Sequence, residues 1–324
     1  MSALASPASL KGVLSAVEAA MALAAGFRTA GADVEELPVA DGGEGTAEVL
    51  AATLGGEWRT AAVGDPLGRV VAARYLVLED GTVVVEAAEA VGLRLVREAE
   101  PDPLRATSRG LGELLLSAAA AASGPILVGL GDTAVVDGGA GLREVVGEGL
   151  AGRELVGLAD VGNPLLGERG AARAFGPQKG ASPEQVDELE ARLAAMEELR
   201  PYADLPGAGA AGGLGAAIAL LGGRLVSGAD FVLERTGFRE QARGAELVVT
   251  GEGTVDRSST EGKAVGAVAR VCAEDGVRCV VFGGRVEDAP RGMETVALSG
   301  DPERAADDLV ELGGRLGRAL LGFA

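Results

Sequence analysis

The chain has 324 residues, 48% of them hydrophobic but only 3% aromatic, and a net charge of −19. That length predicts two domains with aliphatic cores, and the charge argues against nucleic acid or an anionic membrane surface as a partner. There is no histidine, which removes Ser-His-Asp and Cys-His chemistry and the usual zinc sites and leaves carboxylates, lysines or bound water as bases.

After a short apolar start, Ser15 and Glu18 have capping-box spacing and open a helix, with Val17, Met21 and Ala24 on one face. Val34 to Val39 alternates as a strand. The turn Ala40-Asp41-Gly42-Gly43-Glu44-Gly45-Thr46 follows, and then a helix from Ala47 to Leu54 with Thr46 as its cap. Val70 to Leu78 and Thr82 to Glu86 read as strands joined at Asp80-Gly81. Arg109 to Ser123 reads as a helix and Pro125 to Gly129 as a buried strand, which leads into a glycine loop, Gly131 to Gly141. Pro183 to Glu198 is an acidic helix, and a glycine-alanine turn at Leu205 to Gly215 opens another helix. Near the end, Ala245 to Thr250 is a strand, Gly251 to Asp256 a polar turn, and a helix starts near Lys263. No apolar run reaches the length of a membrane span. Pro7 interrupts an N-terminus with no basic residue before Lys11, and Cys272 and Cys279 are the only cysteines, so a cytoplasmic chain with buried thiols is expected.

Two acidic glycine turns, one near each end of the chain, predict one composite site built from both ends. Such a turn suits a phosphate neutralised by Mg²⁺, or a hydroxyl that must lose a proton. Only three of the 29 basic residues are lysine, namely Lys11, Lys179 and Lys263, and each adjoins a glycine. A compact ammonium beside a flexible backbone suits a phosphate oxygen. Gly207-Ala208-Gly209-Ala210-Ala211-Gly212 matches a dinucleotide fingerprint, but no strand precedes it. Small residues that let a helix pack closely explain it better than NAD binding.

The segment Ala40 to Thr46 resembles the ADGGEGT signature of the bacterial glycerate kinases. The resemblance continues in order through Pro7 to Gly12, Glu86 to Leu93, Ser108 to Leu114, Gly129 to Gly141, Asp160 to Gly167, Phe175 to Ala181, Pro206 to Gly215, Thr250 to Asp256 and Gly262-Lys263. It implies phosphorylation of D-glycerate with ATP and Mg²⁺. It also implies a two-domain α/β fold: a flavodoxin-like parallel-sheet domain from residues 1–60 plus 228–324, and a different mixed α/β domain, 61–227, inserted between.

On that reading Lys11 and Lys263 face phosphate, Asp41, Glu44, Glu252 and Asp256 meet Mg²⁺ or the substrate hydroxyls, and Asp137 is the alternative general base. Glu252 and Asp256 are the metal candidates, with Asp41 and Glu44 alongside. Gly42, Gly43, Glu44, Gly45, Thr46, Thr133, Gly138, Gly139, Asn163, Lys179, Gly251 and Gly253 line the substrate and nucleotide. Glycerate's carboxylate is expected at Lys179, Arg169 or the amides of a glycine loop. Ala8, Asp132, Val135 and Glu261 depart from the family pattern. They keep open a second reading, a ligand-binding or regulatory relative that transfers no phosphoryl group. A homo-oligomer is also left open.

Overall fold

The computed structural model describes residues 2–96, 100–150, 152–256, 259, 263–287 and 293–323. In chain order the elements begin with β1 (Ser2–Ala5), α1 (Ala16–Thr29), β2 (Asp33–Glu36), α2 (Thr46–Leu54), β3 (Glu57–Gly64), β4 (Val70–Val77) and β5 (Val83–Glu86). There follow α3 (Ala87–Val91), α4 (Arg109–Ala121), β6 (Ile126–Gly129), α5 (Ala140–Val146), β7 (Leu155–Ala159), α6 (Ala171–Phe175), α7 (Pro183–Ala194) and α8 (Ala210–Leu220). The last are β8 (Arg224–Ser227), α9 (Gly228–Arg235), α10 (Phe238–Gly244), β9 (Leu247–Val255), α11 (Ala264–Asp275), β10 (Cys279–Val286), β11 (Glu294–Ala297) and α12 (Ala305–Leu320).

The chain divides into two compact units. The first comprises Met1–Asp41, Glu48–Thr53 and Ala229–Ala324, and the second Gly42–Ala47 and Leu54–Gly228.

The first unit holds a five-stranded sheet ordered β11-β10-β9-β1-β2 with every pairing parallel. This is the flavodoxin-type order, and its switch point, where ligands collect in open α/β sheets, lies between β1 and β9. The central strands β1, β9 and β10 read as short apolar runs because both sheet faces are covered there. Ala3, Ala5, Val249, Val280 and Phe282 face α1 and α12, while Leu4 and Val248 face α10 and α11. Ser15 caps α1 through the expected capping box with Glu18. The buried face of α1 is Ala16, Ala19, Ala20, Leu23, Ala24 and Phe27, and Met21 points out at 56% exposure. The helix is thus rotated from the expected Val17/Met21 stripe. The reason is that α12 packs backbone to backbone on its small residues: a Cβ added to Gly313 would sit 2.1 Å from the Leu23 carbonyl oxygen.

The second unit holds a sheet in simple sequential order, β3-β4-β5-β6-β7-β8. β3, β4 and β5 pair antiparallel, and the rest pair parallel. α4, α5 and α8 bury Leu111, Leu114, Leu142, Leu214 and Ile218 in one core with Val83, Val85, Ile126, Val128 and Leu155. β3 was not foreseen, because Glu57-Trp58-Arg59-Thr60 carries two charges in an edge strand that has solvent on one side. The fingerprint-like segment 207–212 enters α8 through left-handed residues Ala211, Gly212 and Gly213. A Cβ on Gly212 would lie 2.0 Å from the Val135 carbonyl oxygen. These small residues serve backbone-to-backbone packing, and the structural context of a dinucleotide site is missing.

Candidate active site

In the first unit, the expected polar turn at Gly251–Asp256 is largely strand. β9 runs on to Val255, pairing Glu252 with Gly283 and Thr254 with Arg285 of β10. The parallel neighbour holds the chain extended, so Glu252 is carried on rigid backbone at the carboxyl end of the sheet. The segment after β1 continues beside it, with Ser6 N–H donating to Val249 O and Ala8 N–H to Gly251 O. The segment after β2 follows β1 likewise, with Val39 N–H donating to Pro7 O. These ladders bring Asp41, Lys11 and the end of β9 to one edge. A Cβ on Gly253 would lie 3.7 Å from the Lys11 amide nitrogen.

Lys263 is the N-cap residue of the 12-residue helix α11, and its Nζ stands 3.9 Å from Glu252 Oε2. An ammonium at a helix N-terminus suits an anion twice over, by its own charge and by the helix dipole. Burial pushes the Glu252 carboxyl above its ordinary range, and the charges of Asp41 and Asp256 push it further, against the pull of Ser259 and Lys263. Asp41 and Asp256, from opposite ends of the chain, therefore act on the same carboxylate. Glu252 Oε1 is buried without a hydrogen-bond partner among the described residues. Gly251 is a packing position, since a Cβ there would meet Phe282 O at 2.3 Å. Gly262 and Glu261 lie outside the described residues.

In the second unit, Gly42 to Ala47 forms a turn tied from within. Thr46 Oγ1 donates to Gly43 O at 2.8 Å and accepts from Gly42 N–H at 3.1 Å. Thr46 is therefore not the cap the sequence suggested; its hydroxyl is spent closing the turn. The anion at the start of α2 comes from Glu86 at the end of β5, whose Oε1 accepts Ala47 N–H at 2.7 Å, with Gly45 N–H as a further donor. Glu86 is 6% exposed, and burial raises its carboxyl to about 7 despite those two donors. Glu44 meets Arg94 at 3.4 Å, and Arg94 in turn meets Glu89 at 3.0 Å. Glu86, Glu89 and Arg94 carry no role in the sequence reading. The available signal was a carboxylate ending the apolar run Val83-Val84-Val85, at the carboxyl end of a parallel strand.

The loop after β6 is a brace. Asp137 Oδ2 accepts from Ser108 N–H, Ser108 Oγ–H and Gly141 N–H, and Oδ1 accepts from Gly139 N–H. Both oxygens are thus committed to bracing the loop, which argues against Asp137 as the alternative base. Gly138 donates its N–H to Gly212 O, and a Cβ on it would meet Met196 Sδ at 2.7 Å. The two glycines expected to line the substrate, Gly138 and Gly139, are buried packing positions with committed amides. Lys179 is 4% exposed and donates to Val135 O at 2.7 Å and Thr133 Oγ1 at 3.2 Å. Burial lowers its amine to about 7 against the opposing charge of Asp137. Its ammonium is thus engaged in the interior of the second unit. Asn163 Nδ2 donates to Arg169 O at 2.6 Å, closing its own loop.

Each unit thus gathers charged side chains and glycines at the carboxyl ends of parallel strands. Among the described residues, no group of three or more acidic or thiol side chains could hold a metal ion unaided. No helix among them is long and apolar enough to cross a membrane.

The comparisons with known proteins agree with one another. The model of the glycerate kinase family matches residues 3–154 and 144–300. The chain is 39% identical over 305 residues to glycerate 2-kinase of Escherichia coli K12, spanning 82% of this chain and 80% of that one. It is 37% identical over 318 residues to glycerate kinase of Halalkalibacterium halodurans, spanning 86% and 84%. A crystal structure from Salmonella typhimurium LT2, described as glycerate kinase 2, superposes with a TM-score of 0.86 at 31% identity, covering 99% of this chain and 98% of that one. The chain belongs to the glycerate kinase family and is a phosphotransferase.

Proposed function

We propose that the chain transfers the γ-phosphoryl group of ATP to a hydroxyl of D-glycerate, with Mg²⁺ as the divalent ion. The observation that carries this reading is the meeting of Lys11, Lys263, Glu252, Asp41 and Asp256 at the β1/β9 switch point. Phosphoryl transfer needs positioning and charge neutralisation more than covalent chemistry, and this edge supplies both. Lys11 and Lys263, with the amides at the start of α11, hold the phosphates. Gly253, with no Cβ to intrude beside the Lys11 amide, lets the phosphate chain approach the backbone.

Asp41 accepts the hydroxyl proton of glycerate as the oxygen attacks phosphorus. Glu252 and Asp256 are the ligands for Mg²⁺, and the buried, unsatisfied Glu252 Oε1 is the atom that a cation would complete. Mg²⁺ keeps several waters and needs only one or two carboxylates plus phosphate, which this pair would supply. When bound, the ion neutralises charge on the phosphate oxygens. Because the Escherichia coli relative is named a 2-kinase, the 2-hydroxyl is the acceptor we propose.

An ADP-release assay with D-glycerate, ATP and Mg²⁺ tests the reading. ³¹P NMR of the product then separates 2- from 3-phosphoglycerate. Turnover by the native chain, lost by at least about a hundredfold in Lys11→Ala, is the expected result. No turnover, with ATP binding intact, would favour the ligand-binding alternative kept open by Ala8, Asp132 and Val135.

A further inference from the structure

Lys179 is the most deeply buried cation among the described residues, and no carboxylate lies within hydrogen-bond reach of it. Its two acceptors are both on the 133–135 segment, more than 40 residues away in sequence. An interior ammonium without a hydrogen-bonded counter-charge is costly to keep. The opposing charge that acts on it, Asp137, spends its oxygens on Ser108 and the amides of its own loop.

The segment that Lys179 grips supports two others. Asp132 O accepts Leu93 N–H, and Ala134 N–H donates to Val91 O. This fixes the turn from which Arg94 reaches Glu44 at 3.4 Å. Just before it, the backbone is the seat of the acidic turn. A Cβ on Gly131 would lie 2.5 Å from Gly43 Cα, and one on Gly129 would lie 2.6 Å from Gly42 O. The acidic turn therefore rests directly on the 129–131 backbone, and Glu44 is tied to the 132–134 backbone through Arg94.

We propose that Lys179 is a positioning residue that acts through the 129–135 segment to hold the Gly42–Ala47 turn, and Glu44 on it, in the geometry of the active enzyme. This rests on the glycerate kinase reading for the reaction it affects, but the contacts themselves do not depend on it. A buried lysine would then govern turnover through the backbone that it holds.

The test compares native chain, Lys179→Met, Thr133→Val and Thr133→Ser. Activity of the native chain on glycerate checks the functional reading separately. Lys179→Met should lower kcat by between about tenfold and a hundredfold, the scale of a misplaced catalytic segment, while KM for ATP stays within about twofold. Thr133→Val, which keeps the volume and removes one acceptor, should move kcat the same way by a smaller factor, and Thr133→Ser should restore it. Hydrogen exchange followed by mass spectrometry should show faster exchange in 42–47 and 91–95 in both impaired variants. If Lys179→Met does not fold, Thr133→Val and Thr133→Ser carry the test alone. Unchanged kcat in Thr133→Val, or faster exchange confined to 176–182, would overturn the proposal.

Discussion

Gly42 and Gly45 sit three residues apart in the same turn with the same backbone angle, φ +93 in each case. That region is strained for any residue with a Cβ, by about 1–2 kcal/mol, so alanine at either position incurs that cost. The surroundings then separate them. A Cβ on Gly45 meets nothing within 4 Å, whereas one on Gly42 would lie 2.8 Å from Leu158 O and 2.9 Å from Leu158 Cβ. Leu158 belongs to β7, a buried strand hydrogen-bonded on both sides, and cannot retreat without disturbing the sheet. Overpacking of that kind adds about 1–3 kcal/mol. Gly45→Ala should therefore lose about 1–2 kcal/mol and Gly42→Ala about 2–5 kcal/mol. Urea unfolding of the two variants beside the native chain measures the difference. Equal stability of the two, or a more stable Gly42→Ala, would refute the claim that this turn is seated on β7.

Glu86 makes stability depend on pH in a defined window. Its folded value of about 7 lies above the ordinary 4.5, so the folded form binds more protons between those values. The contribution is fully present below pH 4.5 and is lost as pH rises through 7, on the order of 3 kcal/mol in all. Glu86→Gln should flatten that fall, read as the native-minus-variant difference in urea midpoint from pH 4.5 to 8. A difference independent of pH would contradict the burial of an ionisable carboxyl there. The α1–α12 contact gives an internal pair of opposite sign. Gly313→Ala puts a Cβ 2.1 Å from Leu23 O and should cost about 1–3 kcal/mol or more. Gly314→Ala, where the nearest atoms are at 3.6 Å, should stabilise the helix by about 0.5–1 kcal/mol; thermal unfolding of both checks the signs. Glu252→Gln should raise the Mg²⁺ concentration needed for half-maximal turnover, and an unchanged Mg²⁺ dependence would remove Glu252 from the metal site.

Much of this protein was readable before any coordinates. Apolar runs such as Ala245 to Thr250 and Pro125 to Gly129 announced buried parallel strands, because a strand covered on both faces has no polar side. The capping box of Ser15 and Glu18 marked the start of α1, since that hydrogen-bond pattern is local. The run of collinear motifs pointed to the family, and the scarcity of lysine singled out Lys11, Lys179 and Lys263 for attention. Side-chain roles that depend on distant partners were not readable. Gly251, Gly138 and Gly139 looked like ligand glycines, yet each is needed because Phe282, Met196 and Ala217, respectively, come close from elsewhere in the chain. Asp137 looked like a base, and the loop amides and Ser108 claim its oxygens. Lys179 looked like a surface cation for a substrate and is interior. Thr46 looked like the cap of α2, yet the carboxylate that meets the start of that helix is Glu86, 39 residues on from Ala47. Sequence pattern by itself determined the buried central strands, the start of α1 and the family. Only the tertiary structure decided which polar groups are already satisfied, since a hydrogen-bond donor or acceptor left open for a ligand is defined by everything that folds around it.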